Sequence, residues 1–388
     1  MVSEQKLMLE LVAWKVCGRA LSENISEELS EERLDLLHYL SKGHGIAHIV
    51  GASLFENGLL TEEKNGVFWN KFLNSQLAAV NSYERSNLEL SEIGKAFSQA
   101  EIKYIPLKGS VIREYYPEPW LRNSCDTDIL VKEAELDMAV NCLTEKLGYS
   151  YMGKSSHDVS LFSPGGHHIE LHYRLSEPDT EKFSLLESVW NYAFPDTEGS
   201  LFYRLPDEIF YYYHIAHMAK HFLHGGCGVR PFLDQWIMNH KMEHDFNKRL
   251  SIISNGGLSS FEKASRSLSE VWFSGENESE LDNAISMYVL TGGVYGSLEN
   301  SISIIRAKKL SRFGYAVSRI FLPYDSLKYS YPVLIKHKWL TPFCETVRWL
   351  RLIFSGGFKR SVKELKINKG LSYDKLDAAQ KLLDILEL

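Results

Sequence analysis

The run Cys125-Asp126-Thr127-Asp128-Ile129-Leu130-Val131 sets two carboxylates one residue apart and follows them with three apolar β-formers. Successive side chains of a strand point to opposite faces, so Asp126 and Asp128 share one face while Thr127 and Ile129 look the other way. Two like charges held that close repel unless a cation lies between them. By the same rule "HHIELHYRL" puts His168, Glu170, His172 and Arg174 on one face. If the two strands are neighbours, Asp126, Asp128 and Glu170 offer three hard oxygen ligands, a set suited to Mg2+ or Mn2+ with substrate phosphates completing the shell. "LKGSV" adds a second ingredient. Gly109 lets the backbone come close to a ligand, Ser110 opens a helix whose amides attract phosphate, and Lys108 brings a mobile positive charge.

Residues 1–100 read as helical, from the three-and-four apolar spacing of "LMLELVAWKV" and "RLDLLHYL" to a long helix after Thr61, a candidate cap. Near residue 101 the period changes. "IKYIPLKG" is a short strand, "SVIREYY" one or two helical turns, "DILV" a second strand, and "KEAELDMAVNCLTEKLG" an amphipathic helix stopped at Gly148. "HDVSLFS" and "HHIELHYRL", separated by Pro164-Gly165-Gly166, predict an antiparallel hairpin. Helical periodicity returns after "LFYRLPDEIF", broken by "HGGCG", "NGG", "TGG" and "SGG", with no internal repeat. The expected class is α+β: an N-terminal helical segment (1–100), a small mixed-sheet catalytic domain (101–200) and a larger C-terminal helical domain (201–388).

Singly, a D-x-D is commonly a solvated strand edge and a Gly-Ser a turn; their order gives them weight. Gly-Ser at a strand end, D-x-D on the next strand and a carboxylate on a later one resemble the polymerase-beta-like nucleotidyltransferases. The longer stretches "IPLKGSVIREYYPEPWLRNSCDTDILV", "LGYS", "HHIELHYRL", "HMAKHFLHGGCGVRPFLDQW" and "LTGGVYGSLEN" are similar to a bacterial family of uncharacterised nucleotidyltransferases, over about residues 5–355 and most strongly over 106–174. The resemblance implies metal-dependent transfer of a nucleoside monophosphate from ATP or another NTP to an acceptor hydroxyl on a small molecule, peptide or protein. It implies that Asp126 and Asp128 hold two Mg2+ ions, that Glu170 completes a metal shell or takes the acceptor's proton, and that pyrophosphate leaves. Arg122 reaches a phosphate or pairs with Asp126. His172 joins Lys108, Gly109 and Ser110 in the nucleotide-binding set. Lys220 and Arg230 clamp phosphates, with Asp234 either orienting Arg230 or forming a structural ion pair. The wider superfamily's loop carries more glycine than this one, where Lys108 precedes and Val111 follows, so the triphosphate contacts are less sharply defined than the metal contacts.

His214, His217, His221 and His224 fall on one helical face. They read first as hydrogen-bonded core histidines, second as a nucleotide-facing set, and third as a metal site that would support a competing enzymatic reading, a metal-dependent phosphohydrolase, although HExxH is absent. A catalytically silent nucleotide-binding protein is the third reading.

Bulk properties narrow the field. A formal charge of −7 and a pI near 6.1 exclude a surface that binds nucleic acid everywhere. A local patch survives: residues 328–369 hold ten Lys or Arg against Glu345 and Glu364, with aromatics between them. That segment reads either as a nucleic-acid or acidic-partner surface or, the reading favoured here, as an amphipathic tail with a solvated basic face. Five scattered cysteines without a CxxC pair read as reduced thiols. The charged N-terminus and the lack of an apolar run of about 18 residues lead to a cytoplasmic protein with no membrane partner.

Overall fold

In the computed structural model, which describes residues 3–22, 25, 29–176, 181–294, 296–307, 311–322, 324–354 and 357–388, the chain opens with helices α1 (Ser3–Val12), α2 (Glu31–Gly43) and α3 (Ala47–Glu56). Ser30 caps α2 by accepting the Arg33 N–H, and Glu31 and Glu32 sit against the positive end of its dipole. Helix α4 (Glu62–Gln99) follows for 38 residues with a kink at Asn65. It starts after Thr61, as the sequence predicts, yet the threonine side chain makes no cap bond.

Strands β1 (Tyr104–Pro106), β2 (Asp126–Val131), β3 (Ser150–Lys154), β4 (Asp158–Phe162) and β5 (His168–His172) form one sheet in the order β1-β2-β5-β4-β3. Strands β2 and β5 run parallel and the remaining pairs antiparallel. The β4–β5 hairpin is as expected; β3 was not, because its exposed Tyr151 and Met152 give an edge strand no buried alternation to read. Helices α5 (Gly109–Ile112) and α6 (Leu136–Asn141) flank β2 in sequence. A small ribbon, β6 (Phe194–Pro195) with β7 (Tyr203–Arg204), returns the chain to β1 through a Tyr104–Phe202 bridge.

Then come α7 (Asp207–Leu223), α8 (Arg230–His240), α9 (Phe246–Asn255), α10 (Ser259–Phe273), α11 (Glu280–Leu290), α12 (Leu298–Ala307), α13 (Arg312–Ile320), α14 (Tyr324–Ser330), α15 (Val333–Lys336), α16 (Thr341–Phe354), α17 (Gly357–Gly370) and α18 (Tyr373–Leu386). The architecture is α+β. The breaks at "HGG", "NGG" and "TGG" fall between helices; Ser355 and Gly356 of the fourth lie outside the described residues.

Alternation decides how the sheet is buried. Ile129, Val131, Ile169 and Leu171 pack behind it against Ile93 and Phe97 of α4 and Leu136 and Ala139 of α6. A second, larger core joins α1, α3, Leu107, Leu130 and α7 through α11, so residues from both ends of the chain share one apolar interior. Two glycine loops close the far end. The Ser297 N–H donates to the Gly225 carbonyl at 3.0 Å, and a Cβ on Gly296 would lie 2.2 Å from that carbonyl, so only glycine permits this crossing.

Candidate active site

Parallel pairing of β2 with β5 sets Asp126 opposite His168 and Asp128 opposite Glu170. Two clusters of ligand atoms result, Asp126 with His168 and Glu170, and Asp128 with Glu170 and His172; within each, the atoms lie within 4.8 Å of one another. Asp126, Asp128 and Glu170 therefore meet on one face, and Glu170 belongs to both clusters.

The charges there are already partly balanced. Lys108 Nζ donates to Asp128 Oδ1 at 2.7 Å, and His172 Nε2 donates to the same oxygen at 2.9 Å. Burial alone raises the Asp128 carboxyl, but the Lys108 ammonium and His172 outweigh it and hold the group well below the usual carboxylate range. Asp126 goes the other way, pushed up by burial and then by Asp128 beside it. Burial also works against the charged form of His172, yet its hydrogen bonds to Asp128 and Glu170 win and raise it. For Lys108 burial is likewise overcome by Asp128, so the ammonium is strengthened. The Lys108 backbone sits at φ 48°, ψ −122°, a conformation costly for a residue with a side chain, and it delivers the ammonium onto β2.

The Gly109-Ser110 turn is tighter than the sequence suggests. Helix α5 is a single turn, and the Ser110 and Val111 N–H groups donate to the Leu107 and Lys108 carbonyls at 3.2 and 3.1 Å, so those two amides are taken up internally. Ser110 does not line the cavity; Lys108 does. Gly109 is required for packing: a Cβ there would lie 2.4 Å from Ser124 Oγ and 3.1 Å from Arg122 Nη1. Gly109→Ala should cost about 1–3 kcal/mol by overpacking, read as a lowered midpoint in thermal unfolding with a matching fall in turnover.

A cleft of about 420 Å3 separates the carboxylate face from α7 and α8, whose Tyr213, His217, Lys220, His221 and Arg230 form the facing wall. Arg122 lines the cleft but does not pair with Asp126. Its Nε donates to Asp234 at 2.6 and 2.9 Å, and Tyr116 Oη donates to the same carboxylate at 2.8 Å. Asp234 is thus the structural ion-pair partner of Arg122, not the orienting group of Arg230, which instead donates to the Asn123 carbonyl at 2.7 Å.

The histidine stripe divides. His214 Nε2 bonds the Pro231 carbonyl, His224 Nδ1 bonds the Lys220 carbonyl, and His217 and His221 hydrogen-bond each other through Nε2 atoms 3.0 Å apart. Burial and Lys108 hold His217 well below the usual imidazole range, and the same causes bring His221 down to about 4. Among the described residues these histidines join no three-ligand cluster. The stripe gives the phosphohydrolase reading no support.

Some lining residues escape a reading along the chain. Asp158 pairs in register with His172 on the adjacent strand, and His157 stacks on the His172 ring at 6.0 Å. Extending the alternation argument to β4 would have found Asp158. His168, placed on the right face by sequence but not counted among site residues, contributes to a ligand cluster. Tyr213 shows no sequence signal beyond its helix.

The donor set fits a divalent cation: three carboxylates face two imidazoles and one ammonium, and the excess of oxygen ligands suits Mg2+ or Mn2+ rather than a soft metal. Buried His172 Nδ1 has no hydrogen-bond partner, so the ring is oriented by its Nε2 contacts to the carboxylates and by the stacked His157.

Neighbouring strands that bring a D-x-D pair and a third carboxylate to one wall of a cleft, with cationic helices opposite, describe a nucleotidyltransferase. The chain belongs to the family described as uncharacterised nucleotidyltransferase, whose profile matches residues 30–274. That span is narrower than the similarity read from sequence and ends at α10. No curated protein and no solved structure gives a match.

Proposed function

We propose that the protein transfers a nucleoside monophosphate from an NTP, ATP being the first candidate, to an acceptor hydroxyl and releases pyrophosphate. The observation that carries this reading is the meeting of Asp126, Asp128 and Glu170 on adjacent parallel strands at the wall of the cleft. In the reaction an acceptor O–P bond forms at the α-phosphorus and the bond to the pyrophosphate oxygen breaks. Asp126, Asp128 and Glu170 hold one or two divalent cations, which neutralise charge on the phosphates when bound. Glu170 keeps 26% of its side-chain surface in solvent, the most of any group in the Asp128 cluster, and it receives the acceptor's proton. Lys220 and Arg230 line the opposite wall and bind phosphate oxygens there. Lys108 rests on Asp128 and turns to the triphosphate once one is bound.

Incubation of the purified protein with Mg2+ and each α-labelled NTP tests the proposal. Pyrophosphate release with label passing to an acceptor is the expected result. Orthophosphate release in its place would show a hydrolase. Mass spectrometry of a lysate treated with protein, ATP and Mg2+ identifies the acceptor by the added mass of a nucleoside monophosphate.

A further inference from the structure

The C-terminal region beyond residue 274 lies outside the family's matched span, and α16 is arranged there in an unusual way. An amphipathic helix normally turns its apolar stripe inward. Here Phe343, Val347, Leu350 and Phe354, spaced four, three and four apart, form one face of α16 and point outward, with Phe343 65%, Leu350 51% and Phe354 85% exposed. The inward side carries Cys344, Glu345 and Arg348. Two more large apolar side chains, Ile335 and Trp339, are exposed on the turns leading into the helix. The solvated basic face expected from sequence is therefore mixed with a continuous apolar one.

Within residues 328–369 the exposed charges of the described side chains have a single sign. The acids of residues 328–369 are Glu345 and Glu364, and both are buried. Glu345 accepts from the Leu322 N–H and from Arg348, and Glu364 pairs with Arg319, so each is neutralised internally. Lys336, Lys338, Arg351, Lys363, Lys366 and Lys369 are exposed. Arg351 flanks the apolar stripe on α16 itself.

We propose that this surface seats the protein on an anionic lipid bilayer, with α16 lying in the plane of the interface. Outward aliphatic and aromatic side chains enter the acyl boundary while the lysines and Arg351 meet lipid phosphates. A nucleic acid fits less well: Trp339, Phe343 and Phe354 could each stack on a base, but aliphatic Ile335, Val347 and Leu350 lie among them and contribute little to binding a strand, whereas the acyl boundary takes both kinds of side chain. A second copy across a two-fold axis would oppose lysine to lysine with no outward carboxylate between them. Among the described residues no helix is long and apolar enough to cross a membrane, so the contact is with the surface. The proposal is independent of the chemistry at the cleft.

Flotation with vesicles tests it. The full chain should float with phosphatidylcholine vesicles containing about 30% phosphatidylglycerol, stay behind with phosphatidylcholine alone, and be largely released by roughly 0.5 M salt. Leu350→Glu with Phe354→Glu should lower the bound fraction at least about tenfold. Both positions are exposed, and an unchanged circular dichroism spectrum and melting curve check the fold. Lys363→Glu with Lys366→Glu leaves the apolar stripe intact and should weaken binding by about fivefold or more per charge. No flotation with anionic vesicles, or equal flotation of either variant, would overturn the proposal. So would binding of single-stranded RNA without vesicle binding, or a dimer in sedimentation that Leu350→Glu dissociates while vesicles leave it untouched.

Discussion

Asp128→Asn is expected to reduce nucleotidyl transfer by roughly a thousandfold or more, since losing several kcal/mol of phosphate charge stabilisation costs about a decade per 1.4 kcal/mol. The shape of the side chain is kept and only its charge is lost. Its cost to stability is separate. The substitution leaves Lys108 and His172 against a neutral amide in place of the carboxylate they share, and removing one charge of a buried pair costs about 3 kcal/mol, at the low end because Lys108 keeps 21% of its side-chain surface exposed. Adding Lys108→Met removes the stranded ammonium, so Asp128→Asn with Lys108→Met should recover most of the stability and none of the turnover. Chemical denaturation and the α-labelled assay read the two effects apart. Full activity in either variant would show that the carboxylate is not part of the site.

The same ion pair sets an acid limb. Asp128 is held below its ordinary value, so the folded protein binds fewer protons than the unfolded chain. Its contribution is fully present above about pH 4 and declines as the pH falls below that. In Asp128→Asn with Lys108→Met this part of the acid limb should flatten.

Asp234→Ala should give the largest loss of stability of any single substitution near the cleft. The Arg122 and Asp234 side chains are 8% and 2% exposed, and Tyr116 donates to the same carboxylate. Removing Asp234 leaves a guanidinium buried and unpaired, worth about 3–5 kcal/mol, or a fall in Tm on the order of 4–6 °C for a chain of this size. Arg122→Met with Asp234→Leu should restore much of that by replacing the pair with apolar packing. If Asp234→Ala melted like the parent protein, the ion pair would not be the tie described. Because Arg122 also donates to the Asn123 carbonyl and to Ser124 just before β2, Asp234→Ala should raise KM for the NTP as well.

What could be read along the chain was whatever depends on period. The two-residue alternation of "DTDILV" and "HHIELH" gave the faces of β2 and β5, and their pairing brings Asp126, Asp128 and Glu170 together as the pattern suggests. The long α4 and the β4–β5 hairpin followed from spacing and turn residues. What could not be read depends on distant packing. Arg122 and Asp234 are 112 residues apart, and no local pattern favours that partner over Asp126, four positions away. Lys108 reaches Asp128 through a backbone conformation that propensity assigns to glycine. In α16 the sequence shows an apolar stripe but not which way it turns; two internally neutralised acids decide that.

The ties from Arg122 to Asp234 and from Arg230 to the Asn123 carbonyl join the approach to β2 with α8 across the lining of the cleft. Ties of this kind oppose a rigid-body opening of the two walls. Less chain entropy then remains to be lost when a ligand arrives. On the proposed function, such a cleft favours an acceptor that presents its hydroxyl on a narrow, extended arm.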